Sequence, residues 1–285
     1  MKQSITDYAL IAEGIREQES LYSMLSLTAG QLKETLAQPQ YAVNGYQRLE
    51  GKASKSIEET VERVTGFGTK MSSAFEALIT EIGRIPTQAE FNEYCLTLAE
   101  DFWNHSKPEG IAWDETVATA VANRNYRCYI SQIVELHAVL LLRELFPKWK
   151  VLGSDLLDNL MGVDIVVETS RKRLYLHVMK NSRYSFLAFR KKMKRGGMRD
   201  ANGKFHRYYR DFTGDKTLMY EGRPESSSDT TEFVNGLPLF KAEWLQSQLI
   251  LFDTFGQFGE PLDGSKKLDY MEDYLLKLKE VEEAA

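Results

Sequence analysis

The chain contains little of what several common protein classes require. It has two cysteines, Cys95 and Cys128, among 285 residues, too few for a disulfide framework or a zinc cluster. Its apolar runs are short, as in Ala138–Leu142, whereas a membrane-spanning helix needs about 20 apolar residues. The first residues lack the charged and then apolar pattern of a secretory signal peptide. We therefore expect a protein of the reducing cytoplasm without a membrane partner.

Several catalytic motifs are also missing. The sequence has no Gly-x-x-x-x-Gly-Lys-Ser/Thr loop for a nucleoside triphosphate and no Cys-x-x-Cys pair. It also lacks a His-Glu-x-x-His helix and a Gly-x-Ser-x-Gly nucleophile turn. Any chemistry must therefore come from residues that are distant in the chain.

Charge is distributed unevenly. Residues 171–216 hold fifteen Lys and Arg against three Asp, a net charge of +12 in a chain whose total is -5. The remaining residues therefore carry -17. A basic segment in an acidic protein indicates a surface for a polyanion, with nucleic acid as the first candidate. The alternative is a solvated basic face that pairs with acidic surface elsewhere.

The N-terminal part has helical periodicity. Met71, Phe75, Leu78 and Ile82 recur at three- and four-residue steps. The segment Thr87-Gln88-Ala89-Glu90 predicts a helix start in which Thr87 is the N-cap and Glu90 completes a capping box. For 285 residues the prior is two domains or one elaborated domain. We predict a helical N-terminal region over 1–120 and a second unit over 121–285.

The second unit begins with helical periodicity and continues with strands. A long helix is predicted from about Val117 to Leu145, with Val134, Ala138 and Leu142 on its buried side. Runs rich in β-branched and aromatic residues then predict strands at 149–152, 163–168 and 173–179. Helices are predicted at 184–195, 241–251 and 268–285. This order favours an α/β fold.

Five polar residues lie at particular points of this succession. Glu135 lies on the long helix, Asp158 follows the first strand, and Asp164 follows Gly162-Val163 at the start of the second strand. The third strand ends in His177-Val178-Met179-Lys180. Because side chains alternate along a strand, His177 and Met179 share one face, and Lys180 lies on the other.

This arrangement, over about residues 127–192, resembles the PD-(D/E)XK nuclease superfamily. Members have a helix with Glu, a strand, a Gly-Val/Ile-Asp turn, a strand, and then Glu/Gln-Val-Lys. The resemblance implies a restriction-endonuclease-like mixed sheet flanked by helices, preceded here by the helical N-terminal region. It also implies Mg²⁺ or Mn²⁺ as cofactor, held by Glu135 and Asp164 with Asp158 as the reserve acid. His177, in the place of Glu/Gln, becomes a ligand or a phosphate contact.

The family's catalytic lysine position holds Met179. Three interpretations remain open. In the first, a β-bulge at the strand end turns Lys180 to the catalytic face, where it substitutes for the lysine. In the second, a cation of the next helix, such as Arg190 or Lys191, takes the place of the lysine. In the third, the fold has lost catalysis and only binds nucleic acid. The first two interpretations describe an active nuclease and the third an inactive one, because cleavage needs a cation beside the attacking water.

The basic segment fits this frame. The helix predicted at 184–195 follows the catalytic strand, so its cations are expected to contact phosphates without specifying sequence. Tyr208 and Tyr209 are expected either to stack on bases or to pack in the core. The predicted nucleic-acid contacts are Arg183, Arg190, Lys191, Lys194, Arg195, Arg207 and Arg210.

The resemblance implies a metal-dependent endonuclease that cleaves DNA, of the type II restriction kind or another nuclease directed at invading DNA. A two-fold duplex favours a homodimer, and a larger defence complex is a further possibility. Two alternatives stay open. One is a catalytically inactive nuclease-fold subunit that binds nucleic acid, and the other is a protein-interaction or inhibitor protein whose basic segment docks on an acidic partner.

Overall fold

The computed structural model describes residues 25–44, 56–61, 71–107, 110–154, 157–158, 161–170, 172–199, 205–207, 215–223 and 228–255. These residues form a mixed α/β structure, which confirms the predicted class at that level. The helix predicted at 268–285, Arg210, and the Tyr208-Tyr209 pair lie outside the described residues.

Six α-helices are described. They are α1 (Ala29–Leu36), α2 (Met71–Ile82), α3 (Gln88–Ser106), α4 (Glu115–Leu145), α5 (Arg183–Arg195) and α6 (Ala242–Phe255). The capping box that begins α3 is present as predicted, since the Thr87 hydroxyl accepts from the Glu90 N–H and the Glu90 carboxylate accepts from the Thr87 N–H. In the described part of the chain, no helix has the length and apolar character needed to cross a membrane.

The long helix α4 lies at the centre of the molecule. It begins two residues earlier than predicted because Asp114 caps it, accepting from the Val117 N–H at 2.8 Å. Helices α1, α2 and α3 pack on α4, and so do strands of the sheet and α6. One hydrophobic core therefore extends continuously from Ala29 to Phe252. The boundary predicted at 120 falls inside α4, and among the described residues it does not separate two cores.

Eight strands are described: β1 (Lys150–Leu152), β2 (Ile165–Glu168), β3 (Arg173–Lys180), β4 (Gly197–Arg199), β5 (Phe205–Arg207), β6 (Lys216–Tyr220), β7 (Thr231–Val234) and β8 (Leu237–Phe240). The main sheet has the order β1-β2-β3-β6. It is mixed, because β3 pairs antiparallel with β2 and parallel with β6. The parallel pair requires a crossover, which contains α5. The pairs β4-β5 and β7-β8 form small separate sheets.

The two faces of β3 pack on different helices. Leu174, Leu176 and Val178 belong to the core around α4. On the opposite face, Met179 packs with Phe186 and Phe189 of α5. The predicted mixed sheet between helices is therefore present, and α5 lies against the sheet through Phe186 and Phe189.

His137 of α4 gives the fold a measurable pH dependence. Its side chain is buried, and its Nδ1 has no hydrogen-bond partner among the described residues. Burial lowers the pKa of His137 to about 4, the nearby Lys33 lowers it further, and Glu232 opposes this. In the unfolded chain His137 is therefore protonated below about pH 6.5, whereas in the folded chain it is protonated only below about pH 4.

We expect the free energy of unfolding to fall as the pH drops through this window. The expected decrease in the free energy of unfolding is about 3 kcal/mol, because the pKa of His137 differs between the folded and the unfolded chain. His137→Leu places an apolar side chain that cannot be protonated at this buried position and should remove this part of the pH dependence. Urea unfolding of both proteins at several pH values between 4 and 7 measures the difference. Parallel curves for the two proteins would contradict the assignment.

Candidate functional site

Asp164 is held at the point where β2 begins and β3 ends. Its N–H donates to the Leu176 carbonyl at 3.1 Å, and its Oδ2 accepts from the Val178 N–H at 2.7 Å. Gly162 precedes it with a φ of 67°, a backbone conformation that favours glycine. The predicted Gly-Val-Asp turn therefore positions this carboxylate through backbone contacts, and its side chain remains 14% exposed.

The three predicted acids meet at one cleft. Glu135 from α4, Asp158 and Asp164 line it together, and α2 contributes a fourth carboxylate, Glu76. The cleft is small and open to solvent, and the space in it that the centres of water-sized molecules can occupy is about 70 Å³. The other lining residues are Phe75, Ile79, Gln132, Leu136, Val139, Gly153 and Ser154. The structure thus brings Glu135 and Asp164 to the same side of the sheet, although they are distant in the chain.

Asp158 reaches the cleft from a short helical turn after β1. Its N–H donates to the Ser154 carbonyl at 3.2 Å, and its own carbonyl accepts from the Gly162 N–H at 2.9 Å. Asp158 and the Gly-Val-Asp turn are therefore joined by backbone hydrogen bonds, which explains why the two acids arrive at one place.

Asp164 lies in a strongly polar and partly closed environment. Burial raises the pKa of its carboxyl group, and the negative charge of Asp158 raises it further. Lys192 and His177 oppose this rise, as does the Val178 N–H. A nearby positive charge therefore favours the ionised form that a metal ligand needs.

Tyr220 borders the same acids. It is buried on β6, and burial raises its pKa to about 12, with further contributions from the charges of Glu135 and Asp164. A hydrogen bond with Ser131 of α4 opposes the rise. Tyr220 is therefore a neutral phenol at physiological pH, able to donate a proton in a hydrogen bond but not to bind a metal as an anion.

Lys192 is the cation nearest to the acids. Its Nζ lies 2.9 Å from Oδ1 of Asp158. Sequence reasoning named Arg190 and Lys191 from the same helix, and the structure exposes both to solvent. Helical spacing could have selected Lys192, because it follows the buried Phe189 by three residues and so lies on the sheet-facing side of α5.

His177 lies behind Asp164 and is closed to solvent. Its side chain is 3% exposed and its ring packs on Phe189. Its Nε2 donates to Oδ2 of Asp215 at 2.6 Å, and its Nδ1 is 4.0 Å from Oδ2 of Asp164. A buried ring cannot contact a phosphate, so that predicted role is corrected. His177 instead links Asp164 to Asp215, a residue that sequence reasoning missed.

Lys180 and Met179 do not supply a cation to the cleft. β3 continues in regular register beside β6 from Leu176 to Lys180, so the β-bulge suggested for Lys180 is not present. The Lys180 side chain occupies the space that a Cβ on Gly222 would need, whereas Lys192 contacts Asp158 directly. Met179 is buried against α5.

The exposed face of α5 carries the predicted basic surface. The side chains that the structure exposes are Arg183, Arg190, Lys191, Lys194, Arg195 and, on β5, Arg207. Lys216 belongs to the basic segment but is buried, where burial and Lys172 lower its pKa. The net charge of residues 171–216 is therefore larger than the positive charge that this segment exposes to a ligand.

The donors in the cleft fit a hard divalent cation. Among the described residues, no three His, Cys, Asp or Glu side chains form a ready metal-binding cluster. Mg²⁺ does not require one, because it keeps several waters and binds proteins through one or two carboxylates. In an extended strand the N–H and C=O of a residue point the same way. The Val178 carbonyl therefore points towards the side of the strand on which Asp164 lies.

Comparison of the chain with protein-family models, with curated proteins and with solved structures returns no match.

Proposed function

We propose that the protein is a metal-dependent endonuclease that cleaves DNA phosphodiester bonds, with a restriction-endonuclease-like core. The observation that carries this proposal is the convergence of Glu135, Asp158 and Asp164 on one cleft at the end of a mixed sheet. The order of the acids along the chain and the exposed basic helix beside them support it. A role against invading DNA rests on the sequence resemblance alone.

Glu135, Asp164 and the Val178 carbonyl would hold Mg²⁺ or Mn²⁺. Such a cation, when bound, lowers the pKa of a water and offsets negative charge on the phosphate. Lys192 lies within reach of this place and supplies the positive charge that Met179 cannot. Asp158 holds the Lys192 ammonium, and the buried Asp215-His177 pair stabilises Asp164 from behind. The cations of α5 hold the DNA backbone next to the cleft.

A second candidate is a nuclease fold that binds DNA without cutting it. Met179 favours this candidate, because the position of the family's lysine is filled by a buried apolar side chain. The two candidates share the basic surface and differ only in the chemistry of the cleft.

Incubation of the purified protein with supercoiled plasmid separates the candidates. We expect nicking or linearisation with Mg²⁺ or Mn²⁺ and none with EDTA. Binding of DNA without cleavage under every divalent cation would favour the inactive module. Affinity for DNA should fall steeply with salt, by roughly one unit of log–log slope per phosphate contacted. A slope near zero would mean that the protein contacts no phosphates. It would contradict both candidates and favour an acidic protein partner.

A further inference from the structure

The outward face of α5 combines cations with exposed apolar side chains. Tyr184 is 75% exposed and Leu187 is 37% exposed. With Lys191 and Lys194 they follow one another at three- and four-residue steps, so they form one stripe along the helix. The helix contains no acidic residue. The stripe lies opposite Phe186 and Phe189, the residues that attach α5 to the sheet.

A largely exposed tyrosine on a basic helix can bind an unpaired base. The bases of a duplex are already stacked on their neighbours, so duplex DNA offers a protein surface its phosphates and groove edges. An unpaired base offers its flat face, and stacking on an aromatic side chain contributes about 1–3 kcal/mol. A basic stripe that begins with an exposed aromatic ring therefore fits single-stranded DNA better than duplex DNA.

We propose that Tyr184 and Leu187 receive an unpaired base, so that the substrate is DNA with a single-stranded stretch, such as a bubble, a fork or an overhang. This inference deepens the proposed function and rests on it. Lys191 and Lys194 contact the phosphates that follow the base. Lys192 at the cleft comes eight residues after Tyr184, about 12 Å along the helix axis.

The experiment measures binding by fluorescence anisotropy in EDTA, where no cleavage occurs. The probes share one sequence and are a single strand, a blunt duplex and a duplex with a central unpaired bubble. We expect Tyr184→Ala to weaken binding of the single strand and the bubble about tenfold or more, and binding of the duplex by less than twofold. Tyr184→Trp should retain the affinity of the wild-type protein, since indole also stacks.

Ile250→Ala is the matched control, because Ile250 is 48% exposed on α6 and lies outside the basic surface. It should bind all three probes as the wild-type protein does. An equal loss on all probes, or no loss for Tyr184→Ala, would overturn the inference, and so would a preference for RNA over DNA of the same sequence. Because the assay does not depend on cleavage, a chain that cuts nothing but shows the Tyr184 effect would remove the proposed activity and leave a surface that binds unpaired bases without a cleavage substrate.

Discussion

Asp164→Asn should abolish Mg²⁺-dependent cleavage while leaving DNA binding in place. The amide keeps an oxygen that accepts from the Val178 N–H, so the turn before β2 is retained. It removes the negative charge that holds the cation, a loss of several kcal/mol in the transition state. The expected loss of rate is on the order of a thousandfold or more. Single-turnover cleavage of plasmid, with anisotropy for binding, measures both quantities.

Glu168→Gln is the matched control for this variant. Glu168 lies at the end of β2 that is distant from Asp164, where it pairs with Arg173. Glu168→Gln should cleave at the rate of the wild-type protein, and its only expected effect is a lower free energy of unfolding. Cleavage by Asp164→Asn at the wild-type rate would remove Asp164 from the chemistry and with it the proposed activity.

The second large effect is expected at Lys192. Lys192→Met keeps the aliphatic length of the side chain and removes the ammonium that faces Asp158 and favours the ionised form of Asp164. Loss of such a preorganised charge typically costs on the order of 100- to 1000-fold in rate. DNA affinity should change little, because the exposed cations of α5 remain.

Lys180→Met decides between the two lysines. Lys180 lies at the end of β3 over Gly222 and outside the cleft lining. The expected effect of Lys180→Met on cleavage is therefore small. If Lys180→Met abolished cleavage and Lys192→Met did not, the cation assignment derived from the structure would be wrong. A comparison of the two variants at saturating Mg²⁺ separates a charge effect from weakened metal binding.

Local patterns predict most of the elements. The capping box at Thr87, the apolar stripe of α4 and the alternation along β3 all depend on residues that are neighbours in the chain. The same kind of reasoning missed the strands β4 to β8, although Asn235-Gly236 between β7 and β8 is a strong hairpin signal. Both turn residues have positive φ.

Contacts between distant residues were harder to predict. The order of Glu135, Asp158 and Asp164 pointed to a shared site through a family pattern. The pairing of His177 with Asp215, which is 38 residues away, left no local signal. The choice of Lys192 over Arg190 or Lys191 depends on how α5 rotates against the sheet, which the packing of Phe186 and Phe189 decides.

The contribution of α2 to the cleft changes how the chain can be divided. Phe75, Glu76 and Ile79 of α2 line the cleft together with the acids Glu135, Asp158 and Asp164. A fragment that begins at residue 121 would cut α4 within its buried N-terminal turns and would leave the acids open to bulk water on one side. The early helices are therefore part of the cleft in which the acids meet, and a fragment without them would lack one side of that cleft.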